Sequence, residues 1–456
     1  MAAYRIGFGK ADITPKGAPS SLAGQFETRI TEEVHDPLEV NCLYIESEDG
    51  VSIWASCDAC QIFKSLSDDV DAMLSERLEG FRPGMLMISA THIHTGPYHD
   101  RGGWLSLTGN TDDDEGAMTA AEYRAQMAEG IVQAVLAAKA DLKDVSVELS
   151  IAPVITGVNR RVVYADQSAK MYGALNGKDF YRMEARDGGP TQLLYVYREP
   201  EHRLDGVIAN VPCTAQCDEH ACYLTADYWE VVRKRIAEDW GEDVHVFSIV
   251  RSAGDLSPHP MVDRYPGEEA YQSGRLCAER MGNWVADVIE MFRDRPERRL
   301  AGKVHRHVSR ELELPVWAVS EKEYAEARAY MADPANYPDG RPADAFSHAN
   351  AWTRIRRVEQ DAKTVMTRIN AVRLDDVVML STPFELYIAY ADRIRMRVPH
   401  AIVFDVELSY DSLGYLATRE AVRGGHYSAN IFNGVCDPDG GDLLVERCVE
   451  IIQSLF

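Results

Sequence analysis

No apolar run in this sequence is long enough to cross a bilayer, so stable membrane insertion is not expected. Positive charge is scarce: 48 Lys and Arg stand against 72 Asp and Glu, a formal net charge of −24. That balance repels phosphate backbones and anionic lipid surfaces. It argues against a nucleic-acid partner and favours a neutral or cationic small molecule. A disulfide framework is missing too, since nine cysteines, an odd number scattered along 456 residues, suit a reducing compartment. The start, Met1-Ala2-Ala3-Tyr4-Arg5-Ile6-Gly7, has neither the basic opening nor the apolar core of a secretory signal, and the expected location is the cytoplasm. No repeat period or low-complexity tract is present.

An apolar content of 46% with 26% charged residues is that of a globular protein able to fill a large core. Strand-like runs, such as 40–45, 51–56, 85–89, 145–151, 193–197, 207–211 and 244–250, alternate with helical periodicity at 67–78, 120–139, 228–240 and 268–292. The alternation predicts an α/β or mixed α+β fold, with a large mixed sheet flanked by helices. Residues 1–456 read as one catalytic unit, with a helical insertion at about 320–362 broken by a Pro/Gly-rich turn. A last helix over 442–455 is predicted to seal the core.

The chemistry concentrates where apolar runs end. Met85-Leu86-Met87-Ile88 leads into Thr91-His92-Ile93-His94-Thr95-Gly96-Pro97, and period-two alternation puts both imidazoles of a His-x-His pair on one side of a strand. Two neutral imidazoles there can seed a metal site, or one can bind metal while the other handles protons. Further polar exits are Asn159-Arg160-Arg161, Gly254-Asp255-Leu256-Ser257-Pro258 and Thr382-Pro383-Phe384-Glu385. In open α/β sheets such exits converge on ligands. The pair Cys57 and Cys60 reads as core rather than as a metal or redox motif.

Taken in order, these segments resemble the neutral ceramidase family. The resemblance is carried by Gly9-Lys10-Ala11-Asp12-Ile13-Thr14-Pro15, the run 91–97, Asn159-Arg160, the Gly-Asp-x-Ser-Pro match at 254–258, Pro383-Phe384-Glu385-Leu386, and Gly414-Tyr415-Leu416-Ala417-Thr418 with Tyr427 beyond. It implies a zinc-dependent hydrolase that cleaves the N-acyl amide bond of a small-molecule substrate with metal-activated water. By the same resemblance His92, Glu385 and Tyr415 would be metal ligands. Ser257 would lie beside the reacting carbonyl, while His94, Arg160 and Tyr427 would assist catalysis or steady the oxyanion. The family's C-terminal immunoglobulin-like domain is expected to be absent.

One departure stands out. The family's second histidine ligand falls at Thr214, and a hydroxyl is a poor substitute for imidazole on zinc. Either His220, Cys217 or Cys213 supplies the bond through a rearranged loop, with His220 the leading choice, or fewer protein ligands hold the metal, or there is no catalytic zinc. An ester or sugar-derived substrate, or a metal-free binding protein on the same scaffold, are the alternatives in function.

Overall fold

The computed structural model describes residues 4–101, 116–241, 243–261, 272–337 and 342–456. The expected large mixed sheet is present, with nine strands. Its hydrogen-bonded path runs His245–Val250, Arg203–Val211, Thr191–Arg198, Lys143–Ala152, Tyr4–Asp12, Glu39–Ser47, Gly50–Cys57 and Leu86–Ala90. The inner pairings are antiparallel and the two outermost are parallel. A second sheet, which sequence periodicity does not announce as separate, has four strands: His305–Pro315, Thr364–Leu374, Val377–Ser381 and Ile402–Val406.

The two sheets pack face to face. Ile6, Phe8, Trp54 and Phe247 of the first share one buried cluster with Val372, Val377, Met379 and Phe404 of the second. On the outer face of the first sheet lie Lys64–Arg77, Ala120–Ala140, Tyr228–Trp240 and Arg275–Arg293, which match the four expected helices. The predicted start of the last of these, at 268, lies outside the described residues. The outer face of the second sheet is covered by Ile388–Arg397 and Pro438–Ser454, the latter burying Leu444, Cys448 and Ile452 as its apolar stripe requires. The order of layers is therefore helix, sheet, sheet, helix.

Alternation along Tyr4–Asp12 shows how the layers form. Ile6 and Phe8 face the second sheet, while Gly7 and Gly9 face the helix Ala120–Ala140. A Cβ on either glycine would stand 2.1 to 2.2 Å from a helix carbonyl, at Ala138 and Ala134, so only glycine lets that helix lie on the sheet. The helix itself opens with a capping box between Thr119 and Glu122.

Helices Glu321–Ala332 and Ala345–Glu359 lie between two paired strands of the second sheet, where a helical insertion is expected. No helix among the described residues is long and apolar enough to cross a membrane.

Candidate functional site

The strand Leu86–Ala90 ends before the histidines, so pleat alternation does not aim them. His92 instead sits in the left-handed region at φ 62°, a conformation that costs a non-glycine residue energy and is held only by its surroundings. Those surroundings are specific. Thr91 donates its amide to the Cys57 carbonyl at 2.9 Å and its hydroxyl to Asp58 at 3.1 Å. Asp58 is locked in turn by two bonds from Arg233, at 2.6 and 2.8 Å. Downstream, Arg29 donates to the His94 carbonyl at 2.6 Å and Thr95 to that of Thr225 at 2.8 Å.

The anchored loop brings two imidazoles edge to face, with ring centres 4.9 Å apart. The Nδ1 of His92 lies 2.7 Å from the Cys60 carbonyl, which can only accept, so Nδ1 carries the proton and Nε2 keeps its lone pair. That Nε2 faces the Nε2 of His94 at 3.3 Å and a Glu385 oxygen at 3.6 Å. On the far side of the His94 ring, Nδ1 lies 3.4 Å from Glu219. A carboxylate there favours a proton on Nδ1 and a second inward lone pair on Nε2.

Burial drives the pKa of His92 down to about 3, helped by His94 and Arg160. Burial also raises that of Glu385, with Tyr415, Arg160 and His94 opposing. Glu219 is held at about 2, since the hydrogen bond and charge of His94 overcome its own burial. Two imidazole nitrogens facing one another, beside a buried carboxyl, form a donor set that fits a zinc ion. The Cys60 thiol joins them: Cys60, His92 and His94 offer ligand atoms within 4.8 Å of one another. Burial pushes the Cys60 thiol up, so it is protonated unless a cation draws the proton off.

Glu385 arrives from the second sheet's side. The short strand Glu385–Leu386 pairs in parallel with Tyr415–Leu416, which places Glu385 next to Tyr415. Arg160 donates to the Tyr415 hydroxyl at 3.1 Å and to the Gly254 carbonyl at 3.0 Å. Tyr415 thereby keeps its own proton for Glu385, with which it is hydrogen-bonded. Tyr427 stands with its ring centre 5.8 Å from that of Tyr415. Ser257 accepts from the amide of His259 at 3.0 Å and lies 2.9 Å from the hydroxyl of Tyr172.

His92, His94, Glu385, Tyr415 and Tyr427 thus line one cavity of about 700 Å³. Arg160 and Ser257 are not part of its wall, and Arg160 reaches it through Tyr415. Asp255 accepts from the Ile388 amide and from Asn159, a structural use of the carboxylate.

The loop that carries the departure is arranged differently from expectation. His220 points to the surface, its side chain 65% exposed and 3.8 Å from Glu27, and so does not join the His92 group. Cys213 and Cys217 are buried in the helix-side core, away from it. Thr214 donates to Gln216 at 2.8 Å, and Gln216 and Gln25 both donate to Glu219, at 3.4 and 3.0 Å. The residue that faces His94 is therefore Glu219, beside the expected His220. Sequence reasoning missed both Glu219 and Cys60. The signal for Glu219 was its place in the loop with the missing ligand, and Cys60 was passed over as core.

This fold is shared with solved ceramidases. All of the chain aligns with a ceramidase described as complexed with C2, covering 76% of that protein at 17% identity and a TM-score of 0.72. The neutral ceramidase from Pseudomonas aeruginosa aligns over 100% of this chain and 75% of its own, at 18% identity and a TM-score of 0.71. Neutral ceramidase A of Dictyostelium discoideum is 30% identical over 103 residues, which are 21% of this chain and only 14% of that relative. No family model matches. The resemblance read from the ordered motifs and the shared fold agree.

Proposed function

We propose that this protein is a metal-dependent hydrolase that cleaves the amide bond of an N-acyl substrate, working as one catalytic unit. The observation that carries the reading is the pair of inward Nε2 atoms of His92 and His94, 3.3 Å apart, with Glu385 at 3.6 Å and each outer Nδ1 facing an oxygen acceptor. His92, His94 and Glu385 would hold a zinc ion, with the Cys60 thiolate in reach. His94, expected as a proton handler, is read here as an imidazole ligand, because Glu219 occupies its outer nitrogen. Glu219 compensates for the histidine missing at Thr214 indirectly, by orienting another ligand.

Bound there, zinc would polarise the amide carbonyl and make water a competent nucleophile at neutral pH. The chain's own groups do the rest. Tyr415 donates to Glu385 and opposes the effect of its burial without overcoming it, so a bound cation would complete its ionisation. Arg160, permanently charged, fixes the Tyr415 hydroxyl from behind. Tyr427 lines the cavity next to Tyr415, and its hydroxyl would donate to the oxyanion that forms as the carbonyl is attacked. Ser257 acts at a distance, through Tyr172, by steadying Arg160, whose ion stands 6.0 Å from the Tyr172 ring centre.

Protein purified without chelators is expected to hold one zinc per chain and to release fatty acid from N-acyl amines. A chelator should abolish this and added zinc restore it. Substoichiometric metal together with chelator-insensitive turnover would refute the mechanism.

A second expectation concerns Gly24, whose φ is +93° and whose added Cβ would stand 2.5 Å from the Cγ of His94. Gly24→Ala must move that ring, so zinc affinity should fall roughly 10–100-fold, the range for disturbing a ligand's orientation. Competition with a metallochromic chelator measures it, and an unchanged affinity would argue against His94 as a ligand.

A further inference from the structure

The inserted helix Ala345–Glu359 forms one wall of the His92 cavity, through Trp352, Thr353, Arg356 and Arg357. Its charges are unevenly matched. Arg354 pairs with Glu323 at 3.9 Å, whereas Arg356 and Arg357 form no ion pair with any described residue. Arg356 is braced by the Trp352 ring, with its guanidinium 5.4 Å from the ring centre. Arg357 is half-buried, and burial lowers its pKa; the one group that opposes this is the thiol of Cys436.

Carboxylates elsewhere on the cavity lining are already engaged. Asp100 takes the Ser65 hydroxyl and stands 3.7 Å from Arg124, and Glu385 is held by Tyr415. In a chain with 24 more acidic than basic residues, two adjacent unpaired guanidiniums on a cavity wall are a local reversal of the overall charge. Arg357 is partly desolvated without a partner while Arg356 stays exposed beside it, so a carboxylate from outside would relieve the first and gain charge-assisted hydrogen bonds from both. Phe26 also lines the cavity, is 43% exposed and packs edge-on against Tyr427, at 5.7 Å, and against Phe346 of the same helix, at 5.7 Å.

We infer that the cavity selects N-acyl amides that carry a carboxylate, bound by Arg356 and Arg357 while the acyl chain lies along the aromatic edge at Phe26. The assignment of the scissile bond rests on the amide-hydrolase reading above, but the anion site does not. The chain's net charge opposes anions at long range only. At physiological salt that repulsion is screened within about 8 Å, and contact with the two guanidiniums decides the affinity.

Ketone analogues, in which a methylene replaces the amide nitrogen, have no bond to cleave and separate binding from turnover. Calorimetry on the wild-type protein is expected to show the carboxylate analogue of N-octanoylglycine binding at least about ten-fold more tightly than the alcohol analogue of N-octanoylethanolamine. The double variant Arg356→Gln, Arg357→Gln should bring the two together by weakening only the carboxylate. An unchanged affinity for the alcohol analogue confirms that the wall is still folded. Equal affinities in the wild type, or a preference that survives in the double variant, would overturn the inference. If the preference is present and neither parent amide is hydrolysed, the anion site stands and the amidase reading fails.

Discussion

Glu385→Gln is expected to lower kcat/KM for N-acyl amide hydrolysis by on the order of 10³-fold and to empty most of the metal site. The substitution keeps the shape of the side chain and removes only its capacity for negative charge. In the folded protein Glu385 is buried, 3.6 Å from the Nε2 of His92 and hydrogen-bonded to Tyr415. Without a cation, burial already raises its pKa, so an uncharged amide is tolerated there and the fold should survive. What is lost is the anionic ligand, and with it the several kcal/mol that a Lewis acid contributes to charge stabilisation in the transition state. Metal analysis and steady-state kinetics on the same preparation check the two halves. Full zinc occupancy with activity within about ten-fold of wild type would remove Glu385 from the ligand set.

The largest effect on stability is expected at Asp58. Asp58→Ala should destabilise the protein by about 3–5 kcal/mol, the cost of leaving a buried guanidinium without its counter-ion. Asp58 is fully buried and receives two bonds from Arg233 at 2.6 and 2.8 Å, one from the Glu39 amide at 2.9 Å and one from Thr91 at 3.1 Å. It therefore joins the helix Tyr228–Trp240 to the sheet and to the first residue of the histidine loop. The double variant Asp58→Ala, Arg233→Met removes the orphaned charge and should recover much of the loss. Denaturant unfolding of both proteins tests this. A single-variant loss below about 1 kcal/mol would mean that water or another acid takes over Arg233.

On the inference drawn above, Arg356 and Arg357 would form a site that sequence reading does not announce. They lie in an insertion that reads as a charged, solvated helix, and a net charge of −24 argues for a neutral or cationic substrate. Composition reports the sum of charges, whereas a cavity responds to those few whose partners are absent. Glu219 escapes for a related reason: the sequence shows a loop with a histidine missing, and the eye goes to the neighbouring histidine. Only the folded loop turns His220 outward and Glu219 toward His94.

By itself the sequence determined the local elements and the order of the motifs. Helical periodicity placed the helices that appear as Lys64–Arg77, Ala120–Ala140 and Tyr228–Trp240 to within a few residues, because an amphipathic stripe is written at short spacings along the chain. Tertiary structure alone decided that the strands divide into two stacked sheets, because both are apolar in the same way and differ only in what they face. It alone decided that His92 turns through φ 62° to meet His94 and Glu385. That conformation is unfavourable locally, and it exists because Asp58, Arg233 and Arg29, distant in sequence, hold the loop in place.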